Sequence, residues 1–351
     1  MQQNKRGSNG LATKRLLWPA ARAVVPFPVW RLLSRASLVM PYYHMISNEQ
    51  VPHVQHLYHF RSVGEFEADL DFLLRQFVPV RLEDIVTDLD ERGHLPKRCF
   101  HLTFDDGFRE MHDVVAPILC KKGIPATFFL NTGFLDQGGM AHHNKISLLL
   151  DRLPGQISKQ TLREIEALLP QPPKAGACLP SRLLSIRYTD RSLVDKIALI
   201  ADVDLHQYVV TARPYLSSGE VFNLLRQGFT IGAHSVDHPL YSELSLEDQI
   251  TQTRDSIDFI VSRFGVRTRA FAFPHTDVGV GPEFFDVMFN KGALDVCFGT
   301  RGFLRHYHPR NVERFSMEKT SGNAEAIITR EYARKVYHGC LTRFQPSRTE
   351  A

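Results

Sequence analysis

The chain has 351 residues, 43% of them apolar and 23% charged, a composition typical of a globular protein with one large domain or two modest ones. The formal charge of +4 is uneven, because residues 1–48 carry seven basic side chains and no acidic one. The remainder has 35 basic and 38 acidic residues and shows no platform of aromatic and basic side chains, so no nucleic-acid partner is expected.

Residues 1–38 form a basic N-terminal arm that contains both tryptophans, Trp18 and Trp30. Its apolar stretches are too short and too interrupted for a transmembrane helix, and no signal peptide is recognised, so a cytoplasmic protein is expected. Two interpretations of the arm are open. It is either a lead-in that covers an exposed edge of the domain, or a peripheral membrane contact through residues 1–35, with arginines for anionic headgroups and tryptophans for the interface.

Beyond the arm, the pattern alternates between helices and buried strands. The segment "RSVGEFEADLDFLLRQF" opens with a capping box, Ser62 to Glu65, and predicts a helix. In chain order, the next predictions are a strand "CFHLTF" (99–104), a helix around 109–122, strands at 125–132 and 228–235, a helix capped by Ser245, and strands at 269–274 and 295–300. This alternation predicts an α/β domain with a parallel sheet or barrel.

The chain beyond the arm divides into a domain, an insertion within that domain, and a tail. Residues 39–318 are predicted to form the α/β domain, and residues 319–351 a C-terminal helical tail. Between about 137 and 212 the pattern becomes helical and rich in proline, with no clear strand. A loop of that length is rarely structureless inside a compact domain, so this stretch is predicted to be a helical insertion.

The strongest chemical signal is the pair Asp105 and Asp106 in "HLTFDDGFRE", directly after a buried strand. Adjacent carboxylates repel each other unless a cation lies near them. In parallel α/β proteins the reactive groups gather at the carboxyl ends of the strands, where this pair is predicted to lie. Asp-Asp-Gly is also common in ordinary turns, which is the alternative interpretation of the segment.

A second signal follows another predicted strand, where "IGAHSVDHP" places His234 and His238 four residues apart. Two imidazoles and one carboxylate can hold a divalent metal while leaving positions open for water. The residues therefore predict Asp106, His234 and His238 as metal ligands, with Asp105 beside them as the base. A chance pairing is the alternative, since the chain has 16 histidines.

Two segments, "TFDDG" (103–107) and "HSVDH" (234–238), resemble the first two motifs of the polysaccharide deacetylase superfamily, also called the NodB-homology or carbohydrate esterase 4 family. The resemblance implies a distorted (β/α) barrel of the NodB type, here with a helical insertion, and hydrolysis of a sugar's acetyl group, mostly N-acetyl. The implied substrate is a glycan, a glycolipid or a polysaccharide precursor. The expected cofactor is one divalent ion, with zinc first and cobalt, nickel or iron as alternatives.

A narrower resemblance concerns "PYYHMIS" (41–47), which is similar to a segment of the poly-N-acetylglucosamine deacetylase branch. It implies that His44 acts as the general acid. A structural histidine packed among tyrosines is the alternative.

The third family motif is altered here to "AFAFPHTD" (270–277). Pro274 matches the family pattern, whereas His275 stands where tyrosine is common. His275 is therefore expected to provide either a backbone donor on the oxyanion side or a polar contact to the substrate. Arg301 and Arg314 could hold a sugar hydroxyl or orient Asp105, and could equally be surface charges.

Two further histidine clusters have competing interpretations. His306 and His308 in "RHYHP" are predicted as solvated loop residues, ranked below His44 as the acid. The pair in "AHHNK" (141–145) could form a second metal site, but an exposed loop is favoured.

Two other functions compete with sugar deacetylation. The same hydrolytic site would serve a deformylase or amidase that acts on a non-polymer substrate. A catalytically silent carbohydrate-binding relative would keep the fold, but it would not need a base beside a metal ligand.

Overall fold

The computed structural model describes residues 25–153, 157–170, 178–304, 306, 308–318 and 322–343. Eleven short strands occur within these residues, all in parallel pairings. They are β1 (Leu38–Val39), β2 (Pro41–Tyr43), β3 (Val78–Pro79), β4 (Cys99–Phe100), β5 (Leu102–Phe104), β6 (Ala126–Leu130), β7 (Thr230–Ala233), β8 (Ala270–Ala272), β9 (Val296–Gly299), β10 (Asn311–Glu313) and β11 (Phe315–Ser316).

Helices connect and surround these strands. They are α1 (Phe27–Ser34), α2 (Val63–Gln76), α3 (Leu82–Asp90), α4 (Ala116–Lys122), α5 (His142–Arg152), α6 (Lys159–Leu168), α7 (Leu179–Leu184), α8 (Ser192–Ile200), α9 (Leu205–Ala212), α10 (Ser218–Arg226), α11 (Leu246–Phe264), α12 (Pro282–Asn290) and α13 (Ala324–Arg343). Both predicted helix starts are confirmed: Ser62 and Glu65 form the capping box of α2, and the Ser245 hydroxyl caps α11.

The main sheet has the strand order β10-β9-β8-β7-β6-β5-β2-β11. Its two edge strands belong to one continuous segment, because only Arg314 separates β10 from β11. This segment, residues 311–316, pairs with β9 through β10 and with β2 through β11. The sheet is thereby nearly closed into a barrel with helices around it, which confirms the predicted distorted (β/α) barrel.

The predicted strand "CFHLTF" is split by His101 into β4 and β5, which belong to two different sheets. His101 is buried, with Nδ1 2.8 Å from the carbonyl oxygen of Val80 and Nε2 2.9 Å from the Thr127 hydroxyl. The prediction of one continuous strand is wrong because β4 leaves the barrel to pair with β1 and β3.

The helices α5 to α8, called the insert helices below, enclose their own apolar core. It includes Ile146, Leu149, Ile165, Leu183 and Ile197, all fully buried. By contrast, α9 and α10 contribute residues such as Val209 and Leu224 to the core of the barrel. The predicted insertion boundaries, 137 and 212, stay a prediction.

The described part of the N-terminal arm packs against the barrel and the last helix. Phe27 of α1 contacts Phe72 of α2 and Tyr332 of α13, with ring centroids 5.2 and 5.7 Å apart. Trp30 is only 3% exposed, so its side chain packs inside the protein and is not available at the surface. Residues 1–24, which include Trp18, lie outside the described residues. Among the described helices, none is both long and apolar enough to cross a bilayer.

Candidate metal centre and active site

Four strands of the barrel deliver polar residues at their carboxyl ends. Asp105 and Asp106 follow β5, His234 follows β7, His44 follows β2, and His275 comes shortly after β8. Because the strands are parallel, these ends open at the same end of the barrel.

Asp106, His234 and His238 bring three candidate ligand atoms within 4.8 Å of one another. Oδ1 of Asp106 lies 3.5 Å from Nε2 of His234 and 3.1 Å from Nε2 of His238. Nδ1 of His234 lies 2.8 Å from the carbonyl oxygen of Ala272. A proton donated to that carbonyl leaves the lone pair on Nε2, which faces the carboxylate. Burial lowers the pKa of His234 to about 4, so the ring is neutral at pH 7, as a metal ligand must be.

This donor set fits a divalent transition metal. One carboxylate and two imidazoles are a ligand set that leaves positions open, as catalytic zinc sites do. Oδ1 of Asp106 is buried and receives no hydrogen bond of regular geometry from the described residues, as expected for an oxygen whose partner is an ion. Burial acts to raise the pKa of Asp106, but His238 and the other imidazoles outweigh it and hold the pKa well below its ordinary value.

The backbone of the site is strained at four positions other than glycine. Asp106, Ser235, His238 and His275 have φ angles of 72°, 71°, 62° and 58°. Such left-handed conformations are uncommon for side-chain-bearing residues and often cluster where function requires a particular orientation. The hydroxyl of Ser235 stabilises the left-handed conformation at His238, because it accepts a hydrogen bond from the His238 backbone N–H at 3.0 Å.

Asp105 is held by Arg314, the residue that separates β10 from β11. Nη1 and Nη2 of Arg314 donate to Oδ1 and Oδ2 of Asp105 at 2.7 and 2.9 Å, and Nη1 also donates to the Thr103 hydroxyl at 2.9 Å. Arg314 is fully buried, and its guanidinium lies over the ring of Tyr42 at 4.8 Å. Burial acts to raise the pKa of Asp105, but Arg314 outweighs it, so the pKa falls below the ordinary value and the carboxylate is ionised.

His44 is held by Glu318, which follows β11. The His44 ring Nδ1 lies 2.5 Å from a carboxylate oxygen of Glu318, and the backbone N–H groups of His44 and Met45 donate to the same carboxylate at 3.0–3.1 Å. Burial acts to lower the pKa of His44, but the charge and hydrogen bond of Glu318 outweigh it and raise the pKa to about 9. The ring is therefore protonated at neutral pH.

A cavity of about 300 Å³ connects these groups, and its wall includes His44, Asp105, Asp106 and His238. The rest of the wall comes partly from outside the barrel. The loop after β2 contributes Leu57 and Tyr58, and the insert helices contribute His143, Asn144 and Leu184.

The residues of the altered third motif are placed differently from one another. His275 lines the cavity, with its ring centroid 4.4 Å from that of His238. Pro274 does not belong to the wall that the described residues form, and its carbonyl accepts a hydrogen bond from the Thr276 N–H at 2.6 Å. Arg301 is also absent from this wall, and its backbone N–H donates to Glu313 at 2.7 Å.

The prediction that "AHHNK" is an exposed loop is wrong. His142 and His143 are the first two residues of α5, and His142 is 4% exposed. The ring of His143 lies 4.7 Å from that of His275, inside the cavity wall. The polar segment "AHHNK" is therefore largely buried, because the insert helices pack on the barrel.

The prediction that His306 is a solvated loop residue is also wrong. His306 is 9% exposed and packs on Phe285, with ring centroids 4.8 Å apart. His308 is partly buried and stacks on Phe289 at 4.3 Å. Both pack against α12, and neither belongs to the cavity wall formed by the described residues.

Comparisons with known proteins agree with this architecture. A family model described as polysaccharide deacetylase matches residues 92–167 and 201–280, so the unmatched gap falls within the insert helices. A search of curated proteins finds no match.

Three solved structures are similar to the chain. One is the Streptococcus pyogenes deacetylase PplD in complex with acetate, with 14% identity over 84% of this chain and 97% of that chain, and a TM-score of 0.54. A de-N-acetylase from Aggregatibacter actinomycetemcomitans has 14% identity over 83% of this chain and 99% of that chain, and a TM-score of 0.52. IcaB from Ammonifex degensii has 16% identity over 85% of this chain and 97% of that chain, and a TM-score of 0.51. At these identities the likeness shows the fold.

The fold is a nearly closed (β/α) barrel, and the family model matches on both sides of the insertion. Over residues 92–167 and 201–280, a little under half of its length, the chain is similar to the polysaccharide deacetylase family, and these ranges include both "TFDDG" and "HSVDH".

Proposed function

We propose that the chain is a metal-dependent hydrolase that removes an acetyl group, N-acetyl first, from a sugar in a glycan, a glycolipid or a polysaccharide precursor. One observation carries the proposal. The wall of a single cavity holds an ionised carboxylate, Asp105, a protonated imidazole, His44, and members of a candidate ligand set, Asp106 and His238. Metal-assisted hydrolysis of an amide uses these three functions together: a base, an acid and a polarising cation.

Asp106, His234 and His238 would hold the ion, which when bound supplies an acidified water and polarises the acyl oxygen. Asp105 accepts the proton of the attacking water, since Arg314 keeps its carboxylate ionised and fixed. The two oxygens of Asp105 are both engaged by Arg314, so the carboxylate cannot rotate away from the water.

His44 protonates the amine that leaves, because an amide anion is too basic to depart by itself. Glu318 keeps the ring charged and oriented for this step. The backbone N–H of His275 is the proposed donor to the oxyanion, supported by the position of this residue in the cavity wall.

Zinc is the proposed ion, with cobalt, nickel or iron as alternatives. Two imidazoles and one carboxylate suit all of these ions, and zinc commonly occupies such sites with open positions.

Acetate release tests the proposal. The protein is stripped of metal, reloaded with zinc or cobalt, and offered acetylated chito-oligosaccharides and an aryl acetate. We expect metal-dependent acetate release that is lost in Asp105→Asn and greatly reduced in His44→Ala. Binding of metal without acetate release from any donor contradicts the substrate class. Failure to bind metal contradicts the site itself.

Two alternatives are outcomes of the same experiment. A deformylase or amidase with a non-polymer substrate would release formate or another acid from small amides but no acetate from sugars. A silent carbohydrate-binding relative would bind oligosaccharides without turnover. The proposed base Asp105 and the proposed acid His44, each held by a buried charged partner, favour catalysis over simple binding.

We also propose that the N-terminal arm makes peripheral contact with an anionic membrane, which would suit a lipid-linked sugar. Three apolar side chains of α1 point to solvent, with Val29 42%, Leu32 77% and Leu33 54% exposed. They lie in the N-terminal arm, residues 1–38, which carries basic residues and no acidic ones. Apolar side chains beside basic ones are the combination that interfacial segments use.

A further inference from the structure

A second group of histidines lies beside the proposed metal centre. One ring nitrogen from each of His143, His238 and His275 lies within 4.8 Å of the others. The three rings come from different parts of the fold: the first turn of α5, the loop after β7 and the loop after β8. The ring centroid of His275 is 4.4 Å from that of His238 and 4.7 Å from that of His143.

Each of the three rings has one buried nitrogen that makes no hydrogen bond among the described residues. Nδ1 of His143, Nδ1 of His238 and Nε2 of His275 are all buried, and none makes a hydrogen bond there. Buried polar atoms are normally satisfied, so unsatisfied nitrogens on three neighbouring rings suggest a shared partner. No carboxylate belongs to this group.

We propose that His143, His238 and His275 form a second transition-metal site. Three imidazoles without a carboxylate suit zinc, copper, nickel or cobalt rather than magnesium or calcium. His238 is common to both groups: its Nε2 faces Asp106 at 3.1 Å, while its Nδ1 is buried and unpaired among the described residues. His238 would therefore be a ligand common to both sites.

The second ion would connect two parts of the molecule. His143 belongs to the insert helices, whereas His238 and His275 belong to the barrel. An ion held by all three ties α5 to the barrel end and closes one side of the cavity. This assigns a binding role to His143 of the "HH" pair, a residue that the proposed reaction itself does not use.

Metal content measures the proposal directly. Full-length protein is stripped of metal, equilibrated with excess Zn²⁺, freed of unbound ion and analysed for zinc per chain. We expect two equivalents in the wild type and one in His275→Gln and in His143→Gln. Asp106→Asn is expected to keep only the second ion, and His238→Ala to lose both. Circular dichroism melting verifies that each variant is folded.

A control variant removes a competing surface group. His112, Asp113 and Glu220 also place ligand atoms within 4.8 Å of one another, so His112→Gln is prepared in parallel. We expect it to keep two equivalents. Loss of the second equivalent in His112→Gln, or its persistence in both His275→Gln and His143→Gln, would overturn the proposal.

The proposed function and the second site can fail independently. One equivalent in the wild type that disappears in Asp106→Asn overturns the second site and leaves the proposed active-site metal intact.

Discussion

Arg314 donates to both carboxylate oxygens of Asp105, at 2.7 and 2.9 Å, from the point where the two edges of the sheet meet. The two residues are 209 positions apart in the chain and both are essentially inaccessible to water. A buried carboxylate of this kind depends on its partner for its charge. Arg314 is therefore a positioning residue for the proposed base.

We predict that Arg314→Met lowers kcat about a hundredfold or more, in line with the usual contribution of a general base. Arg314 lowers the pKa of Asp105, so its removal raises that pKa and moves the acidic limb of the pH–rate profile to higher pH. The variant should also lose roughly 3–5 kcal/mol of stability, because Asp105 is left buried without its partner. An acidic limb that stays in place would show that Arg314 has only a structural role.

Glu318→Gln should change the other limb of the profile. His44 is protonated below about pH 9 in the wild type because Glu318 outweighs the effect of burial. Without that charge the pKa of His44 falls, because burial is then opposed only by the weaker effects of Asp106 and Asp105. Activity at pH 8 should then fall by roughly tenfold or more, with much of it recovered near pH 6. As a control, His44→Gln has no ring to protonate and should be impaired at every pH. A basic limb that is unchanged by Glu318→Gln would contradict the assignment of His44 as the general acid.

Metal removal should reduce both activity and thermal stability. A ligand that binds only the folded state stabilises it by about 2.7 kcal/mol when its concentration is 100 times Kd. We expect a chelator to lower the Tm of the wild type and Zn²⁺ to restore it. With His143→Gln as the background, which leaves the ligands of the proposed active-site ion intact, Asp106→Asn should abolish the effect of zinc on Tm. A zinc-dependent Tm in that double variant would place the stabilising ion elsewhere.

Gly232 in β7 should not tolerate a side chain. A Cβ atom there would lie 2.5 and 2.6 Å from two ring atoms of Phe129, and 2.9 Å from the carbonyl oxygen of Ala270. We predict that Gly232→Ala costs about 1–3 kcal/mol, measured by urea unfolding. Gly64→Ala is the matched control, since no atom lies within 4 Å of its added Cβ. It should be neutral or slightly stabilising, and an equal loss in both variants would refute the steric explanation.

The membrane proposal needs a variant that keeps the fold. Deleting residues 1–35 would remove Phe27 and Trp30, both of which are buried, so residues 1–24 are the better deletion. We expect co-sedimentation with anionic liposomes to fall in this deletion and in Leu32→Gln/Leu33→Gln, and to weaken with salt. Equal sedimentation of all three proteins would contradict membrane contact.

Local sequence was sufficient to predict the residues that follow β5 and β7. Asp105, Asp106, His234 and His238 each lie within a few positions of a strongly apolar strand, so their placement depends on little more than the direction of that strand. The structure brings all four together, while their chemical roles stay a prediction.

The sequence offered Arg314 only as one of two arginines that could orient Asp105, and it did not single out Glu318. Their positions near Asp105 and His44 depend on how residues 311–318 join two distant strands, which is a tertiary relationship. The only local signal was a pair of charged residues, Glu313 and Arg314, between apolar neighbours in "NVERFSM". His143 and His306 were misplaced for a related reason, since packing against other elements buried segments whose polar composition suggested solvent.

The segment that completes the barrel also has a consequence for synthesis. Residues 311–318 supply the partners of both the proposed base and the proposed acid, although those two residues lie at positions 105 and 44. A chain that stops before residue 311 therefore lacks the groups that hold Asp105 and His44. We expect such a chain to lack the proposed hydrolytic activity, even though all three proposed metal ligands have already been synthesised.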